Sequence, residues 1–166
     1  MTEQEKKTCS RLYLRRISYE DFLSEYPIAV TNSYLVDELK KLFESQDADA
    51  LRYILLLASY HSYTLEMGKI LHKLLLEGWH KEHEDIVRIL QFSVCIPEAV
   101  DSLVYAMERK YDYLFEQDDY EPFVTKCMYA IAAIGTVYAR EKIKMLAASS
   151  NETIKAAALF QLKRLS

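Results

Sequence analysis

The sequence predicts an all-α protein, and three observations carry that prediction. Only three glycines and three prolines occur in 166 residues, too few punctuators for a many-turned β protein. Apolar residues make up 51% and charged residues 28%, which suits one globular core and excludes a disordered chain. Apolar positions recur three and four apart through most of the length, the period of a helix with one buried face.

The elements follow in order. Residues 1–17 read as a polar, basic segment without an apolar run, set apart from a single domain at 18–166. Residues 18–26 form a short helix closed by Pro27, because the residue before a proline leaves the helical region. Leu35, Leu39 and Leu42 share one face of a helix begun at Asn32 or Ser33. After the break at Gln46 to Asp49, Leu51, Ile54, Leu55 and Ala58 start another, with aspartates at its N-terminal end, where orphan N–H groups and the dipole favour them. Met67, Ile70, Leu71, Leu74 and Leu75 follow Thr64, with Gly78 read as the C-cap. Ile86, Val87, Leu90 and Val94 make the next, and Pro97 opens one through Arg109. Pro122 opens a helix over 123–134, another spans 138–148, and Asn151 caps the last.

Alternate helices align as a repeat. Asp49-x-Leu51-Arg52, Asp85-x-Val87-Arg88, Glu121-x-Phe123-Val124 and Glu152-x-Ile154-Lys155 superpose at offsets of 36, 36 and 31 residues. Leu51, Val87, Phe123 and Ile154 are therefore expected to be buried at equivalent places. An acidic group, an apolar-basic pair, then small and apolar residues at helical spacing resembles the second helix of a HEAT repeat. The stretch 143–165, IKMLAASSNETIKAAALFQLKRL, carries the resemblance furthest, after Ala130-Ile131-Ala132-Ala133-Ile134-Gly135. The third repeat departs from it with Val124 where a basic residue is usual, and the first helices lack the family's internal proline. Over residues 33–165 the resemblance implies a right-handed α-solenoid of about four HEAT-like helical pairs plus a short N-terminal helix. An irregular α-bundle stays open beside it. A solenoid presents an extended curved face, which is a binding surface by construction.

Charge is unevenly divided. Residues 1–16 carry a net +3, residues 17–122 a net −12 and residues 123–166 a net +5, within a total of −4. The acidic middle repels phosphate backbones and steers a basic partner, against a reading in which the C-terminal Arg140, Lys142, Lys144, Lys155, Lys163 and Arg164 bind nucleic acid. Cys9, Cys95 and Cys127 are odd in number and widely spaced, so neither a disulfide framework nor a zinc site is indicated and a reducing, cytoplasmic setting is expected. No secretory signal and no membrane span are read.

No phosphate-cradling loop or nucleophile elbow occurs, and an enzyme is not expected. Glu77-x-x-His80 and His80-x-x-His83 have metal-compatible spacing, but a di-iron bundle needs the first motif twice. His80 and His83 are therefore expected as solvated turn residues, His61 and His72 as polar-face or boundary residues, with no metal and no cofactor. Cys95 and Cys127 are expected as small core hydrophobes.

Tyrosine is over-represented, 13 against six Phe and one Trp, and suits both binding surfaces and half-buried boundaries. Three tyrosines fall among carboxylates in YDYLFEQDDYE, which holds the candidate partner-binding residues Tyr111, Asp112, Tyr113, Glu116, Asp118, Asp119, Tyr120 and Glu121. The carboxylates would steer a basic surface and the tyrosines would anchor it; a merely solvated loop is the alternative. The second-helix face with Arg52, Tyr53, Arg88 and Tyr129 is the next candidate. The function expected is a non-catalytic protein-binding module, monomeric alone, whose partner is another protein with a basic surface rather than nucleic acid or membrane. In size, acidity and helical content it resembles bacterial immunity proteins that neutralise toxins such as cationic nucleases. A scaffold, adaptor subunit or assembly factor is the alternative.

Overall fold

A computed structural model describes residues 1–165. Among them the chain forms helices and no strand: α1 (Glu3–Tyr13), α2 (Tyr19–Glu25), α3 (Asn32–Ser45), α4 (Ala48–Ser59), α5 (Leu65–Leu74), α6 (His83–Phe92), α7 (Ala99–Arg109), α8 (Asp112–Glu116), α9 (Tyr120–Ile134), α10 (Val137–Leu146) and α11 (Glu152–Leu165).

Side-chain caps start most of these helices by satisfying N–H groups that have no partner within the helix. Thr31, Asp47, Thr64 and Thr136 accept from the backbone three residues on, and Asn151 accepts from the N–H groups of Thr153 and Ile154. Gly135 ends α9 at φ +68°, a left-handed conformation that glycine adopts without strain. Gly78 does not cap α5, as the sequence had suggested: Leu75 does, and a Cβ at Gly78 would stand 2.8 Å from the Arg109 guanidinium.

The helices of each expected pair pack on one another, α3 on α4, α5 on α6, α7 on α9 and α10 on α11. First helices α3, α5 and α7 pack in succession, and second helices α6, α9 and α11 do likewise. Leu51, Val87, Phe123 and Ile154 are buried, as the repeat alignment requires. The acidic and basic groups flanking them form the same i,i+3 ion pair in three second helices: Asp49 with Arg52 at 3.5 Å, Asp85 with Arg88 at 3.1 Å, and Glu152 with Lys155 at 3.4 Å. In α9 the equivalent Val124 is buried, and Lys126 instead reaches across to Glu84 in α6 at 2.7 Å.

The segment 1–17 is not peripheral. A Thr2–Glu5 capping box starts α1, which packs on α4 and α2 and buries Glu5, Thr8, Cys9 and Leu12.

Gly68, inside α5, admits a close neighbour: a Cβ there would lie 2.5 Å from Val94 Cγ1 and 3.2 Å from Val94 Cβ. Gly68→Ala is therefore expected to destabilise the chain in urea unfolding. Overpacking of about 1–3 kcal/mol against a stiff β-branched side chain outweighs the ~1 kcal/mol that alanine adds in helix propensity.

Candidate protein-binding surface

The acidic tyrosine segment is built on α8 and divides by residue type. Tyr111 is buried; its hydroxyl donates to the Leu75 carbonyl at 2.5 Å, and Arg109 lies over its ring at 5.4 Å. Tyr113 is half-buried, its hydroxyl 2.9 Å from His83 Nδ1. Tyr120 is also half-buried, donating to the Met107 carbonyl at 3.0 Å and accepting from Asn151 Nδ2 at 2.8 Å. The three rings thus tie the segment to the α5–α6 connection, to α7 and to the turn before α11. Tyr111 has no surface left to offer a partner, which corrects its expected role as an anchor, and the other two hydroxyls are already engaged. The exposed ring here is Phe115, stacked on Tyr120 at 4.5 Å.

The carboxylates face outward. Asp112, Glu116, Asp118 and Glu121 are exposed and Asp119 is half-buried. None of the five has an ion-pair partner among the described residues, whereas much of the central acidity is neutralised within the fold. The basic termini fold back onto it: Lys6 on Asp47 at 2.6 Å, Arg11 on Glu25, Lys126 on Glu84 at 2.7 Å and Lys142 on Asp101 at 3.0 Å. The chain amine meets Glu38 at 3.2 Å.

The histidines overturn the expectation of solvated turn residues. His80 is 2% exposed and His83 0%, and their rings stack 4.3 Å apart. Each ring reaches back six residues, His80 Nε2 to the Leu74 carbonyl at 2.9 Å and His83 Nε2 to the Glu77 carbonyl at 2.8 Å. Each Nδ1 then accepts, His80 from the Glu82 N–H at 3.1 Å and His83 from the Tyr113 hydroxyl. His80 is therefore a neutral Nε2–H tautomer, and burial keeps His83 in the same form, so neither ring has a lone pair spare for a metal. Burial depresses the proton affinity of both, that of His83 to about 3, with His80 and Arg109 adding to the effect. The ring of Trp79 stands edge-on to His80 at 4.8 Å. His61 and His72 are half-buried and bonded to Tyr19 and Ser102, at the boundary as expected.

Concavities lie along the second helices. A groove of about 580 Å³ between α9 and α11 is lined by Glu121, Thr125, Tyr129, Glu152, Phe160 and Gln161 among others, and one of about 210 Å³ between α4 and α6 by Arg52, Tyr63, Glu82 and Arg88. In the latter Arg52 is held by Glu82 at 3.0 Å and lies over Tyr13, so its charge is already committed.

No family model, curated protein or solved structure matches the chain.

Of the thiols, Cys9 and Cys127 are buried and Cys95 is exposed, which corrects the core role expected of Cys95; its Sγ donates to the Gln91 carbonyl at 3.0 Å. Burial pushes the Cys9 thiol up to about 12 and the Cys127 thiol up as well. No trio of His, Cys, Asp or Glu among the described residues is arranged to hold a metal, and no described helix is long and apolar enough to cross a membrane. Sequence reasoning missed the α9–α11 groove, because its walls come from residues some 30 positions apart. The repeat alignment, which pairs Glu121 with Glu152, was the available signal.

Proposed function

We propose that the chain is a right-handed α-solenoid of four HEAT-like pairs that binds, without catalysis, a protein with a basic surface. Within that class we infer an inhibitor or immunity protein of a cationic toxin such as a nuclease, acting in the cytoplasm. The observation that carries the binding reading is the run Asp112, Glu116, Asp118, Asp119 and Glu121, mostly exposed and without ion pairs among the described residues, in a fold that neutralises many of its other acids internally. Such a field raises the encounter rate with a basic surface. Pairwise helix packing and the recurring i,i+3 ion pairs support the solenoid. The absence of catalysis is supported by the state of the groups a reaction would need: two thiols are buried with raised pKa, and the two buried imidazoles have both nitrogens engaged.

The test is to capture partners from a host extract with the wild-type chain and with an Asp112→Asn, Glu116→Gln, Asp118→Asn, Asp119→Asn variant, then measure association kinetics. The expected partner is basic, and the variant should associate about tenfold more slowly with a flatter salt dependence, its stability little changed because three of the four carboxylates are exposed and none has an ion pair among the described residues. Equal association rates for the two proteins would overturn the reading. A scaffold or adaptor role is favoured by one observation: Val137, Met145, Leu159 and Phe160 of α10 and α11 are 74%, 65%, 51% and 53% exposed, apolar area that a subunit of a larger complex would cover. Self-association of the isolated chain in sedimentation would favour that role over a free-standing inhibitor.

A further inference from the structure

We propose that the groove between α9 and α11 receives a basic segment of the partner, one arginine guanidinium on the face of Phe160 and a neighbouring one at the carboxylates of Glu121 and Glu152. The proposal rests on the protein-binding reading above and adds where, and by what chemistry, the partner is held.

The groove has three features of such a site. Its walls are apolar, with Met128, Ala156 and Ala157, and carry the half-exposed Phe160 ring, which has no aromatic or cationic partner among the described residues. Two carboxylates line it from the first turns of adjacent helices, Glu121 of α9 and Glu152 of α11. Glu121 has no ion pair among the described residues, and Glu152 has only Lys155 at 3.4 Å, a surface i,i+3 contact of little weight. Last, one polar group in the wall is incomplete: Gln161 is 2% exposed, its Oε1 accepts from Arg164 at 3.3 Å, and its buried Nε2 has no acceptor among the described residues. A carbonyl of an inserted peptide would supply one.

The fold already makes one contact of the proposed kind. Arg164 lies over the neighbouring ring of Tyr129 at 4.6 Å, which leaves Phe160 as the open face. Planar guanidinium groups fit better than ammonium groups, because one stacks flat on the ring and another meets the carboxylates with its N–H fork. The acidic segment leads into this place, since Asp118 borders an adjoining concavity that shares Glu121 and Thr125 with the groove. Lys126, which also borders that concavity, is occupied by Glu84. The outer carboxylates would then steer the partner, and the groove would hold it.

The test is a nuclear magnetic resonance titration of the ¹⁵N-labelled full chain with the capped peptide acetyl-Gly-Arg-Gly-Arg-Gly-amide and its lysine counterpart. Expected are shift changes at the amides of Thr125, Tyr129 and Thr153 and at the Gln161 side-chain amide, with the arginine peptide binding more tightly. Phe160→Ala and Glu121→Gln, both at exposed positions, should each weaken it about two- to fivefold, the weight of a surface cation–π or ionic contact. Shift changes confined to residues 112–119, or Kd unchanged in both variants, overturn the groove while leaving acidic steering intact. No response to either peptide also overturns the groove, and the kinetic experiment on the four-site variant then decides the protein-binding reading separately.

Discussion

Replacing His83 with alanine is expected to lower the unfolding free energy by about 3–5 kcal/mol, the sum of a core cavity and two stranded polar groups. The imidazole fills a space among Tyr111 at 3.7 Å, His80 and Phe123, and its loss leaves the Glu77 carbonyl and the Tyr113 hydroxyl without their partner. The same residue gives stability a pH dependence whose sign follows from burial. In the unfolded chain both histidines titrate near 6.5, whereas in the fold both are depressed, His83 to about 3. Below about pH 6.5 the unfolded chain therefore binds protons that the fold refuses, and stability falls by up to ~1.4 kcal/mol per pH unit for each imidazole. The His83 contribution is complete above that pH and declines until about pH 3. Arg109 and Lys81, over the rings of Tyr111 and Tyr113, oppose a second positive charge there, while Glu77 favours one at His80. Urea unfolding of the wild type between pH 7.5 and 5 should show the decline, and His83→Ala should flatten it. A wild-type midpoint independent of pH over that range would refute the buried neutral pair.

The second large effect is expected at Phe123. This fully buried side chain belongs to the helix that packs against α6, α7, α8, α10 and α11, so its neighbours are held from several sides and cannot collapse into the gap. Phe123→Ala should cost about 3–5 kcal/mol, measurable as a fall in the urea midpoint. The equivalent Ile154→Ala, in the last helix with neighbours on fewer sides, should cost about 2–4 kcal/mol. Equal losses would indicate that the two positions are equally well enclosed.

The sequence carried the helices whose buried face is apolar. Leu35, Leu39 and Leu42, or Ile86, Val87 and Leu90, announce themselves by spacing, and Asn151 acts as the cap expected of it. It hid α1, because two of the four residues that α1 buries, Glu5 and Thr8, are polar; the Thr2-x-x-Glu5 capping box was the readable signal. It hid the histidine pair for a related reason. Imidazoles are polar by type, and only the backbone path from Leu74 to Glu82 brings carbonyls within their reach. At the acidic segment composition identified the exposed carboxylates but not the direction of the rings. Tyr111 lies in a core 36 residues away from the carbonyl it binds, a separation that no local pattern encodes.

The position of Trp79, the sole indole of the chain, has an optical consequence. Protonated imidazole quenches indole emission on contact, and the Trp79 ring meets His80 edge-on. Emission intensity therefore follows the ionisation of that joint as it opens in acid. The α9–α11 groove has no indole of its own, so a ligand seated there leaves this signal unchanged, and the two events can be observed in one sample without interference.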